Sequence, residues 1–324
     1  MPSEAPPGGS ILVVGGTHGN ECHAPWLLEQ WRADPATLAH QGFALQLVVG
    51  NPAALAAGRR YIDRDLNRSF DPQLLADPRQ QSLEVRRARE LLDRHGPEGS
   101  APALLAFDLH STTAAMGNSL VVYGRRPCDL ALAAGMQQRL GLPVYLHEAD
   151  AAQSGFLVER WPSGLVIEVG PVPQGVLRAT ICQQTQRGLE AALAVLAQAA
   201  AGRLSLPPDL VVHRHLGSLD LPRRDDGSPA VLLHPRLEGA DWQPLRASDP
   251  VFIDITGTVL PLGAALPPHL PAHATYWPVF INEAAYREKG IAFSLTVKER
   301  WPVEEHWSHD LASLSGRLQR GAPL

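Results

Sequence analysis

The segment ILVVGGTHGNE, residues 11–21, is the most informative stretch of this chain. Its four leading apolar residues predict a buried strand, and the two glycines that follow allow a sharp turn. His18 and Glu21 are three residues apart, so on a turn they face the same side. An imidazole and a carboxylate in that arrangement can bind Zn²⁺ and leave coordination positions open. Alternatively, His18 only ends the strand and Glu21 only caps the next helix.

The composition indicates a globular protein with one large domain or two moderate ones. The chain has 324 residues, of which 45% are hydrophobic, and a formal net charge of -5. It has no long basic run and no apolar run of about 18 residues, so neither nucleic acid nor a membrane is expected as a partner. The N-terminal residues lack the segments of a signal peptide.

The cysteines predict the compartment. Cys22, Cys128 and Cys182 are widely spaced and odd in number, which indicates free thiols in a reducing, cytoplasmic environment. Cys22 adjoins Glu21 and is an alternative thiolate ligand, although a buried thiol is the preferred interpretation.

Short apolar strands alternate with helical patterns in the first part of the chain, which predicts an α/β sheet with helices on both faces. The predicted strands are residues 11–14, 43–49, 104–109, 120–123 and 165–169. The predicted helices are residues 20–32, 80–94, 128–140 and 176–201. After Gly202 the helical patterns give way to turns and prolines, and short β elements are predicted at residues 211–215, 230–234, 251–255 and 258–260. We therefore predict an α/β domain over residues 1–205 and a smaller β-rich domain over residues 206–324.

A second histidine follows a buried strand in the segment FDLHSTT, residues 107–113. Ligand sites of α/β sheets lie just past the carboxyl ends of strands, so His110 is a candidate third ligand. With His18 and Glu21 it forms a set of three protein ligands with an open position for water, which is typical of catalytic zinc. The alternative is a hydrogen-bonded core histidine. Asp108 is a candidate for orienting the site.

Two further segments carry charged residues with possible chemistry. Residues 60–68, RYIDRDLNR, contain three arginines and two aspartates, which either point guanidinium groups at a ligand or form a solvated, internally paired loop. Glu168 lies in an apolar run that predicts a buried strand. Burial raises the pKa of a carboxyl group, so Glu168 is suited to act as a general base. The alternative is a buried ion pair with one of the arginines.

Together these segments resemble the aspartoacylase and succinylglutamate desuccinylase family of zinc carboxypeptidase-like amidohydrolases. The resemblance spans roughly residues 11 to 299, and five motifs occur in the family's order: residues 15–21, 60–68, 108–110, 167–178 and 277–286. It implies a zinc-carboxypeptidase-like mixed sheet in the first domain. Thr112, Thr113 and the last motif resemble the aspartoacylase branch more than the desuccinylase branch.

The resemblance implies roles for the metal and for catalysis. His18, Glu21 and His110 are expected to bind one zinc ion per chain. Glu168 is expected to act as the general base and then as the proton donor. Arg60 matches the arginine that stabilises the tetrahedral oxyanion. Relatives also imply a homo-oligomer.

The resemblance implies a substrate site as well. Asn67 and Arg68 match the pair that binds the substrate carboxylate, and Tyr286 matches a tyrosine that reaches the pocket from the C-terminal domain and narrows its entrance. In aspartoacylase an arginine before the catalytic-glutamate strand recognises the aspartyl side chain. Here Phe156 or Leu157 stands near that place, and Arg160 is the available substitute.

The expected reaction is hydrolysis of N-acetyl-L-aspartate to acetate and L-aspartate, which makes the chain a zinc-dependent hydrolase of linear amides. Because the side-chain arginine has no match, an aminoacylase-3-like deacylase of neutral or aromatic N-acyl amino acids is the alternative. A non-catalytic binding protein on the same scaffold is a second alternative, which the retention of Glu168 and Arg60 disfavours. A peptidase is disfavoured by the C-terminal domain expected to cover the entrance.

Overall fold

The computed structural model describes residues 9–148, 153–268, 270 and 273–319. Its strands, in chain order, are β1 (Ser10–Gly15), β2 (Leu45–Val49), β3 (Ala103–Ser111), β4 (Asn118–Tyr123), β5 (Val144–His147), β6 (Ser163–Val169), β7 (Asp209–Asp220), β8 (Val231–Leu233), β9 (Pro250–Asp254), β10 (Val259–Pro261), β11 (Trp277–Val279) and β12 (Ile291–Pro302). Its α-helices are α1 (His23–Ala33), α2 (Pro52–Ala56), α3 (Pro72–Ala76), α4 (Leu83–His95), α5 (Pro127–Leu140), α6 (Ala179–Ala200), α7 (Leu262–Ala265) and α8 (Glu305–Gln319).

A mixed sheet of nine strands forms the centre of the molecule, in the order β11-β12-β7-β5-β4-β6-β3-β1-β2. Strand β1 pairs in parallel with β2 and β3, and β3 pairs in parallel with β6, whereas β4 is antiparallel to β6. A second sheet, β10-β9-β8, lies in the C-terminal part. The predicted fold class, a mixed α/β sheet flanked by helices and followed by a smaller β-rich part, is confirmed.

Helices cover the central sheet on both faces because successive side chains of a strand point in opposite directions. Ile11 and Val13 pack into an apolar core with residues of α1, α5, α6 and α8. Leu12 and Val14 pack into a second core that includes residues of α4. The near-continuous apolar run of β1 therefore reflects burial on two sides.

The turn after β1 is longer than predicted. Helix α1 begins at His23 with Cys22 as its N-cap, not at residue 20. The Glu21 amide donates to the His18 carbonyl at 3.1 Å, which closes a turn before the helix. Glu21 thus belongs to this turn, and the interpretation of Glu21 as a helix-capping residue is wrong.

The chain after residue 205 contributes more to the central sheet than its short β patterns predict. β7 is a twelve-residue strand that pairs in parallel with β5 and antiparallel with β12. Strands β5, β11 and β12 and helix α8 were not predicted, and α8 packs against α5 and α6. We retain the division into residues 1–205 and 206–324 as a proposal, with a sheet that runs across it.

Strand β2 forms one edge of the central sheet, and arginine side chains cover that edge. The Arg32 guanidinium donates to the Leu47 carbonyl at 2.7 Å. The Arg87 guanidinium donates to the carbonyls of Val49 and Gly50 at 3.0 and 2.8 Å. Among the described helices, none combines the length and the apolar character needed to cross a membrane.

Candidate active site

Three buried side chains meet at the carboxyl ends of β1 and β3. His18 Nδ1 lies 2.7 Å from Glu21 Oε1, and His110 Nδ1 lies 3.0 Å from Glu21 Oε2. The potential ligand atoms of these residues all lie within 4.8 Å of one another. Two imidazole nitrogens and one carboxylate at this spacing form a donor set that fits zinc with a free coordination position.

Two aspartates hold the far sides of the imidazole rings. His18 Nε2 lies 3.0 Å from Asp65 Oδ1, and His110 Nε2 lies 2.7 Å from Asp108 Oδ2. Thr17 Oγ1 donates to the other oxygen of Asp108 at 2.7 Å. With the Nε2 atoms paired to these carboxylates, the Nδ1 atoms that face Glu21 would be available to bind a metal ion. The donor set and its supporting groups therefore fit a zinc ion.

The electrostatics of this group favour a bound cation. Burial lowers the pKa of His110, but the Asp108 and Glu21 carboxylates outweigh it and hold that pKa well above the usual range. Burial likewise raises the pKa of Glu21, and the His18 and His110 imidazoles overcome it and hold that pKa well below the usual range. Positive charge between these residues is thus stabilised by buried carboxylates.

Arg60 begins the arginine loop, residues 60–68, and its guanidinium reaches the buried group of His18, Glu21 and His110. Its Nη2 lies 3.1 Å from Asp65 Oδ2, and its Nη1 lies 3.6 Å from Glu21 Oε1. The loop itself is fixed by the buried carboxylate of Glu84 on α4. Glu84 accepts hydrogen bonds from three successive backbone amides, those of residues 62, 63 and 64, at 2.7 to 3.1 Å. Glu84 was missed from the sequence, because the helix was predicted to begin at residue 80, whereas α4 begins at Leu83 and has Glu84 in its first turn.

Asn67 and Arg68 end the arginine loop beside the cavity. Asn67 Oδ1 accepts from the Leu157 amide at 2.8 Å, so its NH2 group is left to donate elsewhere. The Arg68 guanidinium donates to Gln153 Oε1 at 3.0 Å and lies 4.1 Å above the centre of the Phe156 ring. The loop is therefore packed in part against the chain that precedes β6.

Glu168 lies on β6 directly beside His110 in the register of the parallel pair β3–β6. Its side chain is buried. Burial raises the pKa of Glu168 well above the usual range, and the Glu21 and Glu283 charges add to this, while His110 and Arg60 oppose it. The strand pairing thus places a carboxyl group of raised pKa beside His110 on β3.

The eight residues selected from the sequence line one cavity of about 100 Å³: His18, Glu21, Arg60, Asn67, Arg68, His110, Glu168 and Tyr286. Tyr286 comes from the C-terminal part, and its hydroxyl lies 2.9 Å from Ser294 Oγ. Aromatic side chains form much of the remaining wall: Tyr123, Tyr145, Phe156 and Phe280. Leu157 is buried in an apolar core and does not line the cavity, and Arg160 is exposed and does not line it either.

Glu283 is a cavity residue that sequence reasoning missed. Its Oε2 accepts from the Thr113 amide and hydroxyl at 2.8 and 2.9 Å, from the Ala114 amide at 3.2 Å, and from the Thr112 hydroxyl. It ties the loop after β3 to the C-terminal part. Its position three residues before Tyr286, inside a recognised motif, was the available signal.

Comparisons with known proteins identify the family of this chain. The family model described as "Succinylglutamate desuccinylase/Aspartoacylase catalytic domain" matches residues 7–196, and an "AstE/AspA barrel-sandwich hybrid domain" matches residues 208–298. A protein of Synechococcus sp. (strain CC9605) named "Probable aspartoacylase" is 56% identical over 92% of this chain and 95% of its own length. A Prochlorococcus marinus (strain MIT 9313) protein of the same name is 53% identical over 94% of this chain and 97% of its own.

The solved structure of murine aminoacylase 3 is 35% identical, with a TM-score of 0.80, and the match covers 93% of this chain and 98% of that one. Succinylglutamate desuccinylase from Chromobacterium violaceum, 21% identical over 91% of this chain and 86% of that one with a TM-score of 0.58, shares the fold. The chain belongs to the succinylglutamate desuccinylase/aspartoacylase family.

Proposed function

We propose that this chain is a zinc-dependent hydrolase that cleaves the amide bond of a small N-acyl amino acid. One observation carries the proposal: the buried His18, Glu21 and His110 share a cavity with Glu168, a carboxyl group of raised pKa. Three protein ligands with a free position are the pattern of catalytic rather than structural zinc. Membership of the family supports a hydrolase of N-acyl amino acids.

The chain's own residues divide the chemistry between them. A bound zinc ion would polarise the acyl carbonyl and lower the pKa of a water ligand. Glu168 accepts a proton from the attacking water and returns it to the departing amine nitrogen. Its raised pKa suits both steps, because such a carboxyl group takes up a proton more readily than an ordinary glutamate. Arg60 donates to the developing oxyanion, and its contacts with Asp65 and Glu21 fix its guanidinium beforehand.

Asn67 and Arg68 are proposed to bind the α-carboxylate of the substrate. A guanidinium and an amide NH2 on neighbouring residues offer donors suited to a carboxylate. Tyr286 is proposed to close the cavity from the C-terminal side, which limits the substrate to a small molecule. Asn67, Arg68 and Tyr286 line the same cavity, which supports these assignments.

N-acetyl-L-aspartate is the first substrate that we propose, because relatives named probable aspartoacylase are up to 56% identical to this chain. A second candidate is a neutral or aromatic N-acyl amino acid. Phe156, one of the two residues near the place of the family's arginine, packs under Arg68 and lines the cavity, and Arg160 is exposed. The aromatic wall and the similarity to murine aminoacylase 3 favour this second candidate.

A single screen tests the reaction and the substrate. The purified protein, with its zinc content measured, is assayed for amine release from N-acetylaspartate, N-acetylated neutral and aromatic amino acids, and N-succinylglutamate. Zinc-dependent release from at least one of them is expected. Absence of release from all, in zinc-loaded protein, contradicts the proposal. A preference for N-acetylaspartate above about a thousandfold would exclude the second candidate, because only a site built around a buried polar contact discriminates so strongly.

Two further features belong to the proposal. The cysteines are free, in keeping with a cytoplasmic location. The homo-oligomer that the resemblance implies is carried over as a proposal, and size-exclusion chromatography with light scattering tests it.

A further inference from the structure

Asp241 lies outside the catalytic cavity, in a second cavity of about 590 Å³ between the loop after β3 and the C-terminal part. Its side chain is only 4% exposed. One carboxylate oxygen accepts from the Ala115 amide at 3.1 Å, and the other accepts from the Ile281 amide at 3.1 Å. A single buried carboxylate therefore joins two segments that are 166 residues apart (281 − 115).

Both segments lead directly into the catalytic cavity. Ala115 directly follows residues 112–114 of the same loop, which bind Glu283, and Ile281 lies between Phe280 and Glu283. Phe280 and Glu283 line the cavity. The loop is thus held at two points, by Glu283 on the side of the catalytic cavity and by Asp241 on the side of the second cavity.

The backbone around Asp241 is strained. Trp242, Phe280 and Asn282 have φ angles of 66°, 54° and 54°, a region that side-chain-bearing residues rarely adopt. The Ile281 amide belongs to the peptide that follows Phe280, so its bond to Asp241 fixes the strained backbone of Phe280. Such conformations persist only where surrounding contacts over-determine them.

Trp242 adds two contacts to the same junction. Its indole nitrogen donates to the Met116 carbonyl at 2.9 Å, and its backbone amide donates to the Pro278 carbonyl at 2.9 Å. Phe280, held in this way, packs edge-on against Tyr145 at 5.8 Å and lies 5.9 Å from Tyr286. The contacts run from Asp241 through two peptide segments to the aromatic wall of the cavity.

We propose that Asp241 is a positioning residue for substrate binding, which sets Phe280 and Glu283 in the wall of the catalytic cavity through its bonds to the amides of Ile281 and Ala115. The inference rests on the proposed function for what the cavity binds. Asp241 itself forms hydrogen bonds with neither the proposed metal ligands nor Glu168, so its effect is expected to fall on the binding of substrate more than on the chemical step.

Asp241→Asn is the most direct test of this proposal. Asparagine has the same shape, but its NH2 group must face one of the two backbone amides, donor against donor. We expect KM for the best substrate of the screen to rise by about tenfold, the size of one lost buried hydrogen bond, with kcat within about threefold. The assay is run at pH 8, because burial raises the pKa of Asp241 to about 6. Zinc content should not change.

Asp254→Asn is the matched control. Asp254 also accepts from two backbone amides, those of Thr256 and Thr258, but in a turn of the small sheet. It should leave KM unchanged. Trp242→Phe removes the bond to Met116 and keeps an aromatic ring beside His213, should raise KM by about threefold, and tests the same junction if Asp241→Asn does not fold.

Hydrogen exchange gives a readout that does not depend on activity. Asp241→Asn should speed exchange in residues 113–117 and 278–286, and Asp254→Asn should not. If the wild-type protein hydrolyses no substrate, the proposed function fails and this exchange comparison still decides the role of Asp241. Unchanged KM together with unchanged exchange in folded variants overturns the inference, and so does loss of zinc in Asp241→Asn.

Discussion

Replacement of Glu168 by glutamine separates chemistry from binding more cleanly than any other single change in this chain. Glutamine keeps the size of the side chain and removes the proton acceptor. General acid–base catalysis by one group is worth about a hundredfold or more, so kcat should fall at least that far, which is about 2.7 kcal/mol of barrier.

The other carboxylates of the cavity are poorly placed to substitute for Glu168. Glu21 bridges the two imidazoles, and Asp65 is held by His18 and Arg60. Glu283 already accepts several hydrogen bonds from the loop after β3. A residual activity near the wild-type level therefore has no obvious source among these groups.

Glu168→Gln should lower kcat but should not lower the free energy of unfolding. Burial raises the pKa of Glu168 well above its value in the unfolded chain, so the folded state is penalised when this group ionises. The metal-depleted wild-type protein should therefore lose stability as pH rises through the raised pKa. The glutamine variant lacks this loss and should be at least as stable as wild type at neutral pH.

The assay combines kcat from amine release, zinc content, and urea unfolding of the metal-depleted protein. Glu98→Gln, a change at an exposed glutamate far from the cavity residues, is the control and should behave as wild type. Glu168→Gln with wild-type zinc and a kcat within about threefold of wild type would refute the assignment of the base.

Three other changes test separate parts of the site. His18→Ala and His110→Ala should each lower the zinc content measured by elemental analysis, and full zinc in both variants would contradict the metal site. Glu84→Ala leaves three backbone amides without their acceptor, so it should lower the free energy of unfolding by about 3 kcal/mol and release the arginine loop; a loss below about 1 kcal/mol in urea unfolding would count against this. Arg68→Ala should raise KM for every substrate with an α-carboxylate, and an unchanged KM would remove Arg68 from that role.

The site could be predicted from the sequence because its residues lie next to strand ends in recognisable motifs. Buried strands such as β1 and β3 have apolar runs that identify them as strands. Because the two strands pair in parallel, His18 and His110 lie at the same edge of the sheet. Asp108, the partner of His110, was among the candidates, whereas the partner of His18 was harder to foresee. Asp65 is one of several charges in an arginine-rich loop, and only the folded loop shows which one reaches His18.

Several strands were missed for physical reasons. β5 has four residues and follows a helix closely, so its pattern is too short to distinguish from a loop. β12, in the C-terminal part, is mostly buried in its first half and alternates partly buried and exposed residues only in its second half. Asp241 and Glu283 act through backbone amides that are distant in sequence, and no periodicity or spacing encodes such contacts.

The covered edge of the central sheet limits how copies of this chain can associate. A strand from a second molecule could extend the sheet at β2 only by donating to its outward carbonyls. Arg32 and Arg87 already occupy those of Leu47 and Val49. Addition of a strand at this edge is therefore opposed, because the incoming strand would have to displace both guanidinium groups from these carbonyls.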